Sequence, residues 1–328
     1  DGAIYAMLVK AEADGALTPL GVQLKADTYA MMKANALLGY GVQGISTPGY
    51  GNLTQTGIRE HQQLAARLAQ RLPALFATGN RQVVVVNSGQ DRAVDSSTYF
   101  SAALVAAQPA LSPAITLPAA PAGYPASAPV AQPAGTNRFL LYFHSLKPAT
   151  DLVTDTSDPY YATYQASQAY QAYANDATVA AKLKAIKAAP QAADVALTVL
   201  SALVSPAFIA KLGTDGYTFA NTGTYAFTSA DGKFTNTLKG DGKTKIATAV
   251  DAVNVLYNLL QIAPAMKAET GGVTMEKYIG AEQAQYLAYL QDAEDYYQKG
   301  PGIQEANPVT YRMAKVLQDD FFDEVDAI

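Results

Sequence analysis

The chain contains no cysteine and no tryptophan, and it has only two histidines among its 328 residues. The lack of cysteine excludes disulfide bonds, thiolate nucleophiles and cysteine-ligated metal sites. Charged residues make up only 16% of the sequence and the net charge is −5, so no overall basic field would attract nucleic acid. No run of about 18 apolar residues, the length of a membrane-spanning helix, occurs. Neither a nucleic-acid partner nor a membrane partner is expected.

The residues that are present predict a globular protein. Hydrophobic residues make up 49% of the chain, which is enough for a sizeable core, and the length favours two packed units. Apolar helical patterns are already under way at residues 3–9 and are unfinished at residues 321–325. These patterns predict that the sequence is trimmed at both ends.

Two similar segments each predict the start of a helix. Gly-Ala-Leu-Thr-Pro-Leu-Gly includes Thr18, and Gly-Asn-Leu-Thr-Gln-Thr-Gly includes Thr54. Each threonine can cap the helix that follows it, although two chance caps remain the alternative interpretation. After the second segment, leucines at steps of three or four predict one apolar stripe: Leu64, Leu68, Leu72 and Leu75.

The polar loop at residues 87–92 is the most informative point in the sequence. It follows a valine run at 83–86, which is typical of a buried parallel strand, and it precedes a predicted helix at 93–107. Open α/β sheets place ligands at such strand ends. Gly89 would let backbone N–H groups approach an anion, and the planar fork of Arg92 suits phosphate oxygens. The loop therefore predicts a phosphate site.

The remaining patterns predict the domain organisation. A proline-rich excursion occupies residues 108–135, a second strand at 139–143 ends at His144, and helices dominate 158–212. Strand-like segments on both sides of Asp231-Gly232 predict a β-hairpin, after which helices resume at 246–266, 275–298 and 308–328. We expect an α/β fold, a mostly parallel sheet flanked by helices, formed by 1–157 and 246–328. An α-rich inserted domain with the hairpin would occupy 158–245.

Several motifs resemble those of the two-branch histidine acid phosphatases. Ser-Gly-Gln-Asp-Arg at 88–92, after the valine strand and before Ser96, Ser97 and Phe100, is similar to the family's middle motif. Leu-Thr-Gln-Thr-Gly at 53–57 is similar to an upstream motif, and Leu-Pro-Ala-Leu-Phe at 72–76 most resembles the phytase and multiple inositol-polyphosphate phosphatase branch. Segments at 296–302, 311–312 and 319–322 also resemble that branch. The resemblance implies a sheet core like that of phosphoglycerate mutase.

In that family a histidine within Arg-His-Gly-x-Arg attacks phosphorus, and water then hydrolyses the phosphohistidine. Arginines clamp the phosphoryl oxygens, and a carboxylate in a His-Asp or His-Ala-Glu motif protonates the leaving alcohol. The resemblance implies a clamping role for Arg92 and no metal or other cofactor. Neither Arg-His-Gly nor His-Asp nor His-Ala-Glu occurs in these residues, so we expect this chain alone to be inactive.

Other candidates have a functional and a structural interpretation. Ser88, Gly89, His144 and, by resemblance, Lys299 are candidate substrate-binding residues, although His144 also suits a hydrogen-bonded structural role. His61 lies beside the polar face of a predicted helix, which favours a solvated or capping role. The cluster Lys239, Lys243 and Lys245 could attract phosphate but reads better as a solvated loop. Helical carboxylates at 292–295 lack nearby His or Cys partners and suit a solvated face better than a metal site.

The sequence thus leads to two hypotheses of different classes. In the first, the protein is an acid phosphatase that hydrolyses small phosphate monoesters, with inositol polyphosphates as the narrower expectation. In the second, it is a non-catalytic phosphate-binding or structural member of the same fold. The resemblance further implies a periplasmic or secreted protein, although the sequence begins without a basic, apolar signal segment.

Overall fold

A computed structural model of the chain describes residues 2–45, 47–77, 83–85, 91–112, 115–116, 156, 172–173, 176–300 and 302. Helices predominate in this part, and the strands are short. The helices are α1 (Gly2–Ala13), α2 (Pro19–Ala36), α3 (Gln55–Arg71), α4 (Pro73–Ala77), α5 (Asp91–Ala107), α6 (Ala177–Lys187), α7 (Pro190–Ser201), α8 (Pro206–Ile209), α9 (Ala249–Ile262) and α10 (Ala281–Gln298). The strands are β1 (Val83–Val84), β2 (Ile115–Thr116), β3 (Phe219–Ala220), β4 (Thr224–Thr228), β5 (Thr235–Lys239) and β6 (Lys245–Ile246).

The described strands form three two-stranded sheets. β1 pairs with β2 in parallel, whereas β3 with β6 and β4 with β5 are antiparallel. The helix predicted at 93–107 is confirmed as α5, which lies between β1 and β2 along the chain. Because these two strands are parallel, β1, α5 and β2 form a crossover unit. Among the described residues, β1 and β2 are the only strands that pair in parallel. The second predicted strand, at 139–143, lies outside the described residues. The structure therefore shows helices with small sheets, and a mostly parallel sheet is not confirmed.

Two compact units make up the chain. The first comprises the described residues of Asp1–Val86, Asp91–Pro118 and Pro190–Leu287, and the second those of Ala119–Ala189 and Ala288–Ile328. The domain boundaries expected at residues 158 and 246 stay a prediction. Within the described part of the chain, no helix combines the length and the apolar character needed to cross a membrane.

Both threonine caps predicted from the sequence are confirmed. Thr18 Oγ accepts a hydrogen bond from Gly21 N, and Thr54 Oγ accepts one from Gly57 N, each at 3.0 Å. Both cap residues have an extended backbone, with φ of −76° at Thr18 and −78° at Thr54, as an N-cap requires. Both helices thus begin at the threonine of a Leu-Thr-x-x-Gly segment.

The predicted apolar stripe is wrong. Leu64 of α3 is 51% exposed and Leu68 is half-buried, whereas Leu72 and Leu75 lie beyond the end of α3 and are 42% and 39% exposed. The residues that α3 buries are Ile58, Ala65 and Ala69. The two alanines pack in one cluster with Leu104 of α5. Small side chains let two helices approach closely, so packing against α5 selects the alanine face over the leucine face.

The predicted hairpin at Asp231-Gly232 is confirmed as β4 and β5, with Thr228 opposite Thr235. Gly232 has φ +71°, and Asp231 accepts hydrogen bonds from Ser229 Oγ and Lys233 N. The hairpin packs Phe227 and Leu238 against Met32 and Ala36 of α2. A second contact fixes it to the segment after α2, because Tyr40 stacks on Phe234 at 4.8 Å and hydrogen-bonds Asp231 at 3.0 Å.

The second unit has contacts of its own around α6 and the end of α10. Tyr173 donates a hydrogen bond to the carbonyl of Tyr297 at 2.6 Å, and Lys182 lies 4.3 Å from the centre of the Tyr297 ring. Lys187 and Glu294 form an ion pair at 3.5 Å.

Candidate functional site

Arg92 is the second residue of α5, the helix that follows β1. Its side chain is exposed. The first N–H groups of a helix have no partner within the helix, and the aligned peptide dipoles make this end positive. Arg92 therefore adds a guanidinium to a helix end that already favours anions.

The glycine-rich segment between α2 and α3 passes directly beside this arginine. A β-carbon on Gly51 would lie 3.7 Å from Nη1 of Arg92, so the backbone of Gly51 is close to the guanidinium. Gly51 has φ +82°, a left-handed conformation that residues with a β-carbon rarely adopt. A glycine thus occupies the position, shortly before α3, at which the chain passes the start of α5.

Tyr99 holds the same segment against α5. Its hydroxyl donates to the carbonyl of Gln43 at 2.5 Å, and a β-carbon on Gly44 would lie only 2.8 Å from that hydroxyl oxygen. Burial raises the pKa of Tyr99, and the charge of Asp95 acts in the same direction. Arg92 and Tyr99 are seven residues apart, about two helical turns, so they share one face of α5. The segment therefore covers that face at both positions.

Hydrogen bonds within the segment shape it further. Gly49 N donates to the carbonyl of Leu38 at 2.8 Å, and Asn52 Nδ2 donates to the carbonyl of Thr47 at 2.7 Å. Asn236 of β5 donates to the carbonyl of Ala36 at 2.9 Å. These bonds fix the backbone that places Gly51 beside Arg92.

Arg92 also has no neutralising partner among the side chains that the structure describes. No aspartate or glutamate of that part forms an ion pair with it. Its backbone carbonyl accepts a hydrogen bond from Ser96 Oγ at 2.6 Å, and no described residue accepts a hydrogen bond from its guanidinium. A free, exposed guanidinium at a helix N-terminus can bind an anion with two parallel hydrogen bonds.

The lysine cluster has a different arrangement. Lys239, Lys243 and Lys245 are all exposed, as expected for a solvated loop. The turn that carries them is built around the Asp241 carboxylate, which accepts from Lys243 N, Thr244 N and Thr244 Oγ at 2.9, 2.9 and 2.6 Å. Burial acts to raise the pKa of Asp241, but these hydrogen bonds outweigh burial and lower it to about 2. The cluster thus includes a permanent negative charge.

The other predicted site residues are distributed as follows. Ser88, Gly89 and His144 lie outside the described residues, so their roles stay predictions. Lys299 belongs to the second unit, where its ammonium forms an ion pair with Asp295 at 2.9 Å. His61 is half-buried on α3. Within the described ranges, no group of three or more His, Asp or Glu side chains could hold a metal ion.

Sequence reasoning missed Gly51 and Tyr99. A signal for the segment was present, because glycines recur at positions 39, 41, 44, 49 and 51, and all five have positive φ in the structure. Glycine-rich runs are typical of tight backbone turns. Nothing in the sequence pattern indicates which side chain such a segment will contact.

The described part of the site is thus a parallel crossover unit, in which a strand is followed by a helix whose N-terminus carries an arginine. Comparison with known proteins gives the family. The model of the histidine phosphatase superfamily (branch 2) matches residues 42–324, and the chain belongs to that family. A search of curated proteins found no match.

Three solved structures of the multiple inositol polyphosphate phosphatase of Bifidobacterium longum are similar to this chain. The complex with inositol hexasulfate shares 28% identity at a TM-score of 0.76, with 98% of this chain and 65% of that chain covered. The complex with phosphate shares 29% identity (TM-score 0.75), and the apo form 28% (TM-score 0.74), with 98% of this chain and 64% of each covered. The chain thus spans slightly less than two thirds of that protein's length.

Proposed function

We propose that the protein to which this chain belongs hydrolyses phosphate monoesters, with inositol polyphosphates as its substrates, through a phosphohistidine intermediate. The observation that carries the proposal is the uncommitted Arg92 guanidinium at the start of α5, in a chain of the histidine phosphatase superfamily. The similar protein of B. longum, whose structures hold inositol hexasulfate and phosphate, supports the substrate class.

The chemistry assigns Arg92 a defined role. In phosphoryl transfer, negative charge is spread over the equatorial oxygens, and donors fixed in advance stabilise it without reorganisation. We expect Arg92 to act in this way, because it lies at the N-terminus of α5 and the backbone of Gly51 passes near its guanidinium. Arg92 would clamp the transferring phosphoryl group while residues of the family's other motifs supply the nucleophile and the proton donor.

We further propose that the 328 residues alone do not catalyse turnover. Their histidines, His61 and His144, follow Glu60 and Phe143, so neither lies in an Arg-His-Gly motif. A phosphohistidine route needs a histidine nucleophile that is held among arginines and an acid for the leaving alcohol. We also propose, from the family resemblance, a periplasmic or secreted location, which cell fractionation with an antibody to the chain tests.

The test compares the 328-residue chain with the complete gene product. The complete protein should hydrolyse both an aryl phosphate monoester and inositol hexakisphosphate, and an alkaline denaturing quench should trap the phosphohistidine, which is labile in acid. The chain alone should release no phosphate. A complete protein that binds inorganic phosphate but releases none from either ester would favour the alternative, a non-catalytic phosphate-binding member of the family.

A further inference from the structure

Glu269 reaches the start of α3 from a distant part of the first unit. Its Oε1 atom accepts a hydrogen bond from the backbone N–H of Gln55, the first residue of that helix, at 2.7 Å. The first N–H groups of a helix have no partner within the helix. Thr54 Oγ accepts another of them, from Gly57. The two side chains therefore cap α3 together, although Glu269 lies 214 positions away from Gln55.

The second carboxylate oxygen of Glu269, Oε2, is buried and has no hydrogen-bond partner among the described residues. An unpaired buried polar atom destabilises a folded protein. The positive N-terminus of α3 offsets part of this cost, because Glu269 is an anion. An apolar side chain would avoid the cost but could not accept from Gln55 N. The hydrogen bond is therefore what the carboxylate contributes at this position.

Packing beside Glu269 is incomplete. A cavity of about 460 Å³ lies there, and its lining includes both Glu269 and Gln55. The same cavity borders the glycine-rich segment between α2 and α3 at Tyr40 and Val42. Empty space takes away the contacts that would otherwise hold a segment in place. The bond from Gln55 to Glu269 therefore restrains the start of α3 where packing does not.

The start of α3 is also joined to the arginine of the candidate site. Gly51, whose backbone passes near the Arg92 guanidinium, lies four positions before Gln55. Between them, Asn52 Nδ2 donates a hydrogen bond to the carbonyl of Thr47 at 2.7 Å. The connection is short and hydrogen-bonded, so we expect a displacement of Gln55 to reach Gly51.

Resting on the proposed function, we propose that Glu269 is a positioning residue for phosphate binding. Its carboxylate holds the first turn of α3, and this keeps the backbone of Gly51 near the guanidinium of Arg92. Glu269 acts through Gln55 and Gly51 and takes no part in the phosphoryl transfer itself. Its removal should weaken phosphate binding by more than the accompanying loss of stability explains.

Calorimetric titration of the complete gene product with inorganic phosphate tests this role. Glu269→Ala should raise the Kd for phosphate about fivefold, a size typical of coupling through a packed network. Glu269→Gln keeps the acceptor oxygen and should stay within about twofold of the unaltered protein. Glu269→Asp keeps the charge but is one methylene shorter, so its oxygens should fall short of Gln55 N. Its Kd should therefore resemble that of Glu269→Ala.

Thr248→Ala is the matched control, because Thr248 Oγ caps α9 by accepting from Asp251 N at 3.1 Å. Both alanine variants lose one hydrogen bond at a helix start, so their melting temperatures should fall by similar amounts. Amide exchange of Asn52, whose N–H is bonded to the Gly49 carbonyl at 3.3 Å, should become faster in Glu269→Ala and stay unchanged in Thr248→Ala.

Two results separate this role from the proposed function. If the unaltered protein binds phosphate but hydrolyses neither ester, the proposed function fails, and the order of Kd values among the variants still decides the role of Glu269. If the protein is a hydrolase but Glu269→Ala binds phosphate as tightly as Thr248→Ala, the hydrolase stands and the positioning role is overturned. A Glu269→Gln variant that is as weak as Glu269→Ala would overturn the role as well.

Discussion

Two basic regions of the first unit differ in what lies around their cations. The first, the Arg92 corner, is the start of α5 with Arg92 and the nearby Gly51, and the second is the turn that carries Lys239, Lys243 and Lys245. At the corner, a single guanidinium lies at a helix N-terminus and has no carboxylate partner among the described side chains. At the turn, three exposed lysines share a short segment with Asp241, whose carboxylate accepts hydrogen bonds from the backbone. We therefore expect the anion at the corner, where the guanidinium lies at the positive end of α5 and no carboxylate of the described side chains is paired with it.

The largest effect should come from removing the corner's guanidinium. Arg92→Ala in the complete gene product should lower kcat by about 100-fold or more, since one preorganised donor to transferring charge contributes on the order of 3 kcal/mol. Arg92→Lys should recover only part of this, because an ammonium lacks the planar fork. Turnover of an aryl phosphate monoester provides the measurement.

Arg71→Ala, which removes an exposed arginine from the end of α3, serves as the control and should leave turnover near normal. The melting temperature of Arg92→Ala should stay close to that of the unaltered protein. Near-normal turnover together with a large fall in melting temperature would show instead that Arg92 is a structural residue.

A smaller effect is expected from loosening the glycine-rich segment between α2 and α3, which Tyr99 holds against α5. Tyr99→Phe keeps the ring but removes the hydrogen bond to the Gln43 carbonyl, which should cost about 1 kcal/mol of unfolding free energy. Because Gly51 would then be held less firmly against Arg92, phosphate binding should weaken as well. Denaturant unfolding and phosphate titration measure the two effects. Tyr257→Phe on α9, also half-buried, is the control; matching results for both variants would refute the anchoring role of Tyr99.

The smallest effect concerns the turn, and it depends on pH. The pKa of Asp241 is lowered from 3.8 to about 2 in the folded chain, so its stabilising contribution is complete above about pH 4. The contribution is lost as the pH falls through about 2, where the folded carboxylate takes up its proton. Since the side chain is exposed, Asp241→Asn should cost less than about 1 kcal/mol at neutral pH.

Melting temperatures between pH 2 and 6 check this dependence. The difference between the unaltered chain and Asp241→Asn should shrink towards zero at the acid end. Asp215→Asn, at an exposed aspartate outside the turn, should show no such trend. A difference for Asp241→Asn that does not change with pH would show that the charge of Asp241 is unimportant to the turn.

How much of this could be predicted from the sequence depends on how local each feature is. The caps at Thr18 and Thr54 and the hairpin at Asp231-Gly232 are confirmed, because the hydrogen bonds that define them join residues close together in the sequence. The buried face of α3 was predicted wrongly, because packing against α5 selects among apolar faces and Leu64 is left exposed. Sequence patterns fix periodicity, whereas tertiary contacts decide which face is buried.

The same distinction applies to the candidate site. Arg92 was found through its strand–loop–helix context, which is a local pattern. Its contact with Gly51 joins positions 41 residues apart in number, and the Tyr99–Gln43 bond has a separation of 56 residues. The periodicity of apolar residues along a sequence does not predict contacts between residues so far apart.

We expect the anion to bind at Arg92 and the start of α5 and not at the lysine turn. Crystals of the chain soaked with phosphate, sulfate or vanadate provide the most direct test. Anion density should lie within hydrogen-bond distance of the Arg92 guanidinium and the first N–H groups of α5, with no equivalent density at Lys239, Lys243 or Lys245. Density only at the lysine turn, with Arg92 paired to a carboxylate, would contradict both the site and the mechanism proposed from it.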